Sequence, residues 1–162
     1  MNRYLLLILT LMIPSAAVAS GVKEDAIRIN ISASEDLNMF DNLPHSTVVA
    51  LYQFESPETI RRMMKEKNGM SVLLKAKSFS KEVKAVRKEI VHPGSKVSIY
   101  WDKQPEAKYL AVVGGFFIAD AIQMVKVYPV IERIKSPFFW MPRDMEKADS
   151  VINILLSRRS MQ

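Results

Sequence analysis

The chain has 162 residues, 23 Lys and Arg against 17 Asp and Glu, and no cysteine. Without a thiol it can hold neither a disulfide framework nor a thiolate metal site, and no lipid can be attached to it through cysteine. The net charge of +6 is read first as a solvated face, and attraction to an anionic surface such as phospholipid headgroups or an acidic protein face is the sharper alternative.

At the N-terminus a short positive start, Asn2-Arg3, precedes the apolar run Tyr4 to Ile13, and Pro14-Ser15 leads into the small residues Ala16 to Ser20. A spanning helix needs roughly 20 apolar residues, so this run is read as a signal-peptide core with an A-x-A site at Ala17-Val18-Ala19. An uncleaved anchor is the rival reading. The expected division is a signal peptide over 1–19, a β-rich domain over 20–135 and a C-terminal extension over 136–162. About 140 residues remain after cleavage, enough for one domain with its own core.

From Ala26 the pattern has period two: Ile27, Ile29, Ile31 and Ala33 share one side, with Arg28, Asn30 and Ser32 on the other. That is a half-buried strand. Glu35 to Ser46 is dense in turn formers and contains Pro44, so it is read as a long loop. Its apolar residues Leu37, Met39 and Phe40 are expected to be exposed, as a partner-binding surface requires.

Thr47 to Phe54 is β-branched and aromatic with no charge, and predicts a strand covered on both faces. Ser56 then precedes Pro57, with an apolar stripe at Ile60, Met63 and Met64, which predicts a helix from Pro57 to about Lys67 that ends at Asn68-Gly69. Met70 to Lys81 fits a helix extension or a short strand equally well. Val83 to Val91, the turn His92-Pro93-Gly94-Ser95, and the alternating Val97, Ile99 and Trp101 read together as a β-hairpin. Tyr109 to Phe117 and Ile122 to Ile131 predict two further strands, one of them central, and Gly114-Gly115 predicts a bulge or a close backbone approach. At the end, Met145, Ala148, Ile152, Leu155 and Leu156 fall on one side of a helix drawn from Asp144 to Arg159, with acids in front and Arg158-Arg159 behind. An amphipathic C-terminal helix is expected there.

Between Arg61 and Lys88 ten basic residues face only Glu66 and Glu82. Phe79 is the one ring in that stretch, too few for the stacking platforms of single-strand binders, and nucleic acid is not expected as a partner. His45 and His92 are the only imidazoles. Each lies beside a proline in a predicted turn, with no second ligand at metal spacing. No nucleophile elbow or metalloprotease motif is present, and Glu35-Asp36 reads as a solvated pair of acids. No catalytic residue, cofactor or metal is expected.

Five short stretches in order carry a resemblance: Ser32-Ala33-Ser34 with Leu37-Asn38, Pro44-His45-Ser46, Val48 to Phe54, Val91-His92-Pro93-Gly94, and Tyr109 to Phe117. Over roughly Ile27 to Val130 they resemble the TssJ (VasD-like) outer-membrane lipoproteins of type VI secretion. The resemblance implies a mainly β fold, a transthyretin-like two-sheet β-sandwich with a short helical insertion, to which the C-terminal helix would be an addition. It implies a non-catalytic component of a trans-envelope complex in the periplasm. It also implies that the first inter-strand loop binds the periplasmic C-terminal part of the IcmF-like inner-membrane protein TssM. By position that loop is Glu35, Asp36, Leu37, Asn38, Met39, Phe40, Asp41 and Asn42, with Leu37, Met39 and Phe40 as anchors. The lipobox cysteine typical of the family is absent, so the chain is expected to be soluble or held by other means, and the basic segment and the C-terminal helix are the two candidates for contact with the inner leaflet of the outer membrane. An accessory protein of another secretion or pilus-assembly system, and a transthyretin-like small-ligand carrier, are the alternatives.

Overall fold

The computed structural model describes residues 26–130 and 151–162. The expected signal peptide, and Met145 and Ala148 of the expected C-terminal helix, lie outside these residues. Among the described residues seven strands form two sheets. The three-stranded sheet has the order β4-β1-β7, from β4 (Lys96–Asp102), β1 (Ala26–Ala33) and β7 (Val151–Leu156). The four-stranded sheet has the order β3-β2-β5-β6, from β3 (Val83–Val91), β2 (Thr47–Phe54), β5 (Tyr109–Gly114) and β6 (Val125–Pro129).

Alternation in β1 sets the inner face of the first sheet. Ile27, Ile29 and Ile31 are fully buried, and register places them beside Trp101, Ile99 and Val97 of β4. On the other flank Ile29 and Ile31 lie beside Ile152 and Ile154 of β7. The outward residues form a solvated polar ladder, in which Asn30 Nδ2 donates to Asn153 Oδ1 at 2.9 Å and the Arg28 guanidinium lies over the Tyr100 ring. Burying one side and hydrating the other is what a period-two pattern encodes.

β2 is central and nearly all buried, because both its faces are covered. Its inner residues, Val49 and Leu51, meet the first sheet. On the outer side, Tyr52 donates its hydroxyl proton to the Leu73 carbonyl and packs edge-on against Phe79. The covering layer there is the insertion of α1 (Pro57–Lys65) and α2 (Gly69–Leu74), which buries Ile60 and Leu73. Of the two readings left open for Met70 to Lys81, the helix holds as far as Leu74.

Two expectations are corrected. β3 and β4 are not a hairpin: β3 pairs with β2 in one sheet and β4 with β1 in the other. The turn between them is tight, with Ser95 N donating to His92 O at 3.1 Å and Gly94 at φ 69. Pro followed by a left-handed Gly is the type II turn chemistry. Gly94 N also donates to Ser34 O, and Ala33 N to Ser95 O, so the turn is bonded to the end of β1 and delivers the chain into that strand's sheet. Sequence alone does not say which sheet receives a strand after a turn.

The second correction concerns the C-terminus. Residues 151–156 are a strand, not a helix, and they pair parallel with β1 as part of the sandwich. Ile152, Ile154 and Leu156 are buried while Val151, Asn153 and Leu155 are exposed, which is period two. The free edge of β1 supplies the ladder partner, and a six-residue β-branched segment gains more by completing the sheet than by helix formation.

Candidate partner-binding site

The connection from β1 to β2, the β3–β4 turn, the segment from β5 to β6 and the chain after β7 all lie at one pole of the sandwich. The first of these is tightly bonded. Ser34 Oγ donates to Asp36 Oδ1 at 2.6 Å, and Leu37 N donates to Ser34 O, starting a turn that drives Leu37 into the core. Leu37 is 0% exposed. The expectation that it is an exposed anchor is therefore overturned: its turn points inward, and the sandwich end needs an apolar plug.

Asn38 follows at φ 48, a left-handed conformation that asparagine tolerates better than most side chains. It is buried, and its amide links two connections: Phe117 N donates to Asn38 Oδ1 at 2.8 Å, and Asn38 Nδ2 donates to Ser46 O at 3.4 Å. The backbone N–H groups of Asn38 and Met39 donate to Ser157 O and Arg158 O beyond β7. Met39 is half-buried.

The tip is a two-residue turn. Phe40 and Leu43 exchange both backbone hydrogen bonds at 3.0 Å, with Asp41 at φ 50 and Asn42 at φ 60 between them. Two successive left-handed residues make a type I′ turn, for which Asp and Asn are suited. His45 Nε2 donates to Phe40 O at 3.3 Å and braces the turn from behind. The loop is held in one shape by bonds to three neighbouring segments, which lowers the ordering cost of binding.

This frame presents apolar side chains to solvent. Phe40 is 47% exposed, Leu43 61%, Phe117 60%, Ile118 47% and Ile122 79%. Phe40 and Phe117 have ring centroids 5.1 Å apart, and His45 meets Phe117 edge-on at 5.2 Å. Ile122 stands on the short helix α3 (Ala121–Met124), which is tied to the C-terminal segment by Met161 N donating to Gln123 O. Glu35, Asp41 and Asp120 are exposed around the patch, as are Arg158 and Arg159. An apolar centre within a charged rim is the anatomy of a protein interface.

Of the eight loop residues expected to bind a partner, Phe40, Asp41 and Asn42 form the exposed tip. Glu35 is exposed at the base of the loop, where its carboxylate lies over Gly94, and Asp36 and Met39 are partly covered. Leu37 and Asn38 support the loop from within. The structure adds Leu43, Phe117, Ile118 and Ile122. In the sequence Phe117 closes an apolar run that reads as strand; its signal was its place after Gly114-Gly115, where the strand ends. Gly115 N bonds Val48 O at 2.8 Å, and a Cβ at this glycine would sit 3.2 Å from Leu74. The expected close approach is present, and it turns Phe117 away from the sheet.

The two imidazoles are both at this pole. Ser46 Oγ and His92 Nδ1 are 2.7 Å apart, and no carboxylate bonds that ring among the described residues. Among the described residues no group of three or more His, Asp or Glu is placed to hold a metal ion.

Residues 25–153 match the family described as type VI secretion lipoprotein, VasD, EvfM, TssJ, VC_A0113. Among solved structures, the chain is similar to the lipoprotein TssJ1 from Pseudomonas aeruginosa, at 13% identity and TM-score 0.65 over 85% of this chain and 93% of that one. It is also similar to Serratia marcescens Lip, described as a membrane-bound component of the type VI secretion system, at 12% identity and TM-score 0.58, covering 85% and 94% of the two chains. A chain of the structure described as the TssM C-terminal domain (869-1107) from EAEC matches at 18% identity and TM-score 0.62, covering 85% of this chain and 95% of that one. Among curated proteins none matches the sequence closely.

Proposed function

We propose a function from this premise: the chain belongs to the type VI secretion lipoprotein family, and it acts as a non-catalytic, exported component of the type VI membrane complex that binds the periplasmic part of TssM. The observation that carries the reading is the pre-shaped apolar pole built from the Phe40–Leu43 turn and Phe117-Ile118. An exposed aromatic and aliphatic cluster of this kind is costly to leave in water and supplies the anchors that dominate interface energy. Support for TssM as the partner is that one similar chain lies in a structure described as its C-terminal domain.

The proposed contact surface is composite. Phe40 and Leu43 come from the β1–β2 connection, Phe117 and Ile118 from the β5–β6 connection, and Asn38 holds the two in register. The exposed charges at the rim set orientation and encounter rate more than affinity. Calorimetric titration with the purified periplasmic domain of TssM from the same organism tests the reading. Saturable binding by the native chain, lost in a Phe40→Ser, Phe117→Ser variant that is still folded at the titration temperature, is the expected result. Equal affinity of the two forms would refute the assignment of this pole.

A further inference from the structure

The ten cations from Arg61 to Lys88 divide into two chemically distinct sets. Arg61 pairs with Glu58, Arg62 with Glu82, Lys84 with Glu55 and Glu106, and Arg87 with Glu89. Lys65, Lys67, Lys75, Lys77, Lys81 and Lys88 form no ion pair with any described residue, and all six are exposed. Every unmatched cation is therefore a lysine, while three of the four matched ones are arginine.

They also share a face. Tyr52 bonds to α2 from the outer side of the four-stranded sheet. Lys88 lies opposite Ala50, two residues along from Tyr52 and hence on that same side. Lys65 of α1, and Lys67, Lys75, Lys77 and Lys81 of the segments flanking α2, lie in the layer that covers it. Ile90, opposite Val48 and 59% exposed, adds an apolar side chain to the same face. Glu66 is the one acid of the insertion without a partner among the described residues.

We propose that this face is a docking surface for an anionic phospholipid bilayer and holds the chain at the membrane without a covalent lipid. The family to which the chain belongs is described as lipoprotein, yet none of its 162 residues is a cysteine that could carry the lipid. Lysine is a hydrated point charge that suits a diffuse layer of phosphates, whereas arginine is the side chain selected for shaped carboxylate partners. Lysine is also depleted at protein interfaces, which favours a lipid surface over an acidic protein. No described helix is long and apolar enough to cross a membrane. The proposal rests on the exported reading of the chain but not on TssM contact, since the apolar pole uses other residues.

The test is co-sedimentation of the exported chain with vesicles of phosphatidylglycerol in phosphatidylcholine, beside vesicles of phosphatidylcholine alone. Each lysine near an anionic surface strengthens partitioning by roughly fivefold, so changing Lys65, Lys67, Lys75, Lys77 and Lys81 to Gln lowers it on the order of a thousandfold. Expected are binding to the anionic vesicles only, its loss in 0.5 M salt, and its loss in the five-site variant, which keeps the native affinity for the TssM domain. The salt arm requires no folding of a variant. Failure of the native chain to bind anionic vesicles at low salt overturns the proposal and passes the lysines to an acidic protein partner. Undiminished binding by a folded five-site variant overturns it as well, because the contact is then elsewhere.

Discussion

Leu37 and Phe40 stand three residues apart in one loop, and the structure assigns them opposite roles that two alanine substitutions separate. Leu37 is 0% exposed, so Leu37→Ala removes a core side chain and leaves a cavity, at a cost of about 3 kcal/mol within the usual range for such sites. For a domain of this size that lowers the melting temperature by roughly 10 °C. Phe40 is 47% exposed and its main contact is the Phe117 ring at 5.1 Å, so Phe40→Ala costs about 1 kcal/mol of stability. In the complex the order reverses. Truncation of an aromatic anchor weakens binding by about 2 kcal/mol, or roughly thirtyfold, while Leu37→Ala measured below its melting transition retains most of its affinity. Thermal unfolding by circular dichroism, followed by titration with the TssM domain, reads both quantities. Equal melting losses in the two variants, or an affinity loss confined to Leu37→Ala, would refute the assignment.

Three further outcomes follow from particular contacts. Ile154→Ala is expected to cost 2 kcal/mol or more and Leu155→Ala less than about 1 kcal/mol, since Ile154 is 2% and Leu155 45% exposed; chemical denaturation showing the reverse would reinstate a C-terminal helix. Asn38→Ala leaves the Phe117 N–H without its acceptor and places alanine at φ 48, for an expected loss of about 2 kcal/mol; Asn38→Asp, which keeps the acceptor, recovers most of it in a thermal melt. Burial pushes the Tyr52 hydroxyl up to about 12, so the folded state disfavours the phenolate. The stability this contributes is complete below the ordinary value of 10.0 and is lost as pH rises toward 12, and Tyr52→Phe should flatten the decline of the denaturation midpoint across that window.

Much of the sandwich was legible because its strands write their burial into the sequence. The isoleucines of β1 alternate with Arg28, Asn30 and Ser32, the uncharged run of β2 matches a strand covered on both faces, and Ser56-Pro57 opens α1. Pairing across distance was not legible. Val97, Ile99 and Trp101 carry the right period, but nothing local says that they face Ile31, Ile29 and Ile27 and not the strand just before them. At the C-terminus the same apolar residues satisfy two periods: Ile152 and Leu155 continue a helical stripe from Met145 and Ala148, while Ile152, Ile154 and Leu156 alternate. The edge of β1 decides between them, and that edge exists only once the sheet has formed.

The binding pole divided in the same way. The Asp41-Asn42 tip and Phe40 were readable as turn chemistry with an exposed ring. Leu37 was misplaced because a turn can aim a side chain either way, and its direction is fixed by the Ser34 and His45 backbone bonds. Phe117 and Ile118 join the site through contacts far apart in sequence, the Asn38 bond across 79 residues and the ring contacts of Phe117 with Phe40 and His45, which no local pattern announces.

The most direct test of the central claim is photo-crosslinking in living cells from a reactive side chain placed at position 43, 117 or 100. Positions 43 and 117 lie on the apolar pole, and position 100 lies on the solvated outer face of the three-stranded sheet. Crosslinks to TssM from 43 and 117, and none from 100, are the predicted result. Crosslinks to TssM from 100 alone, or to other proteins alone from 43 and 117, would contradict the account.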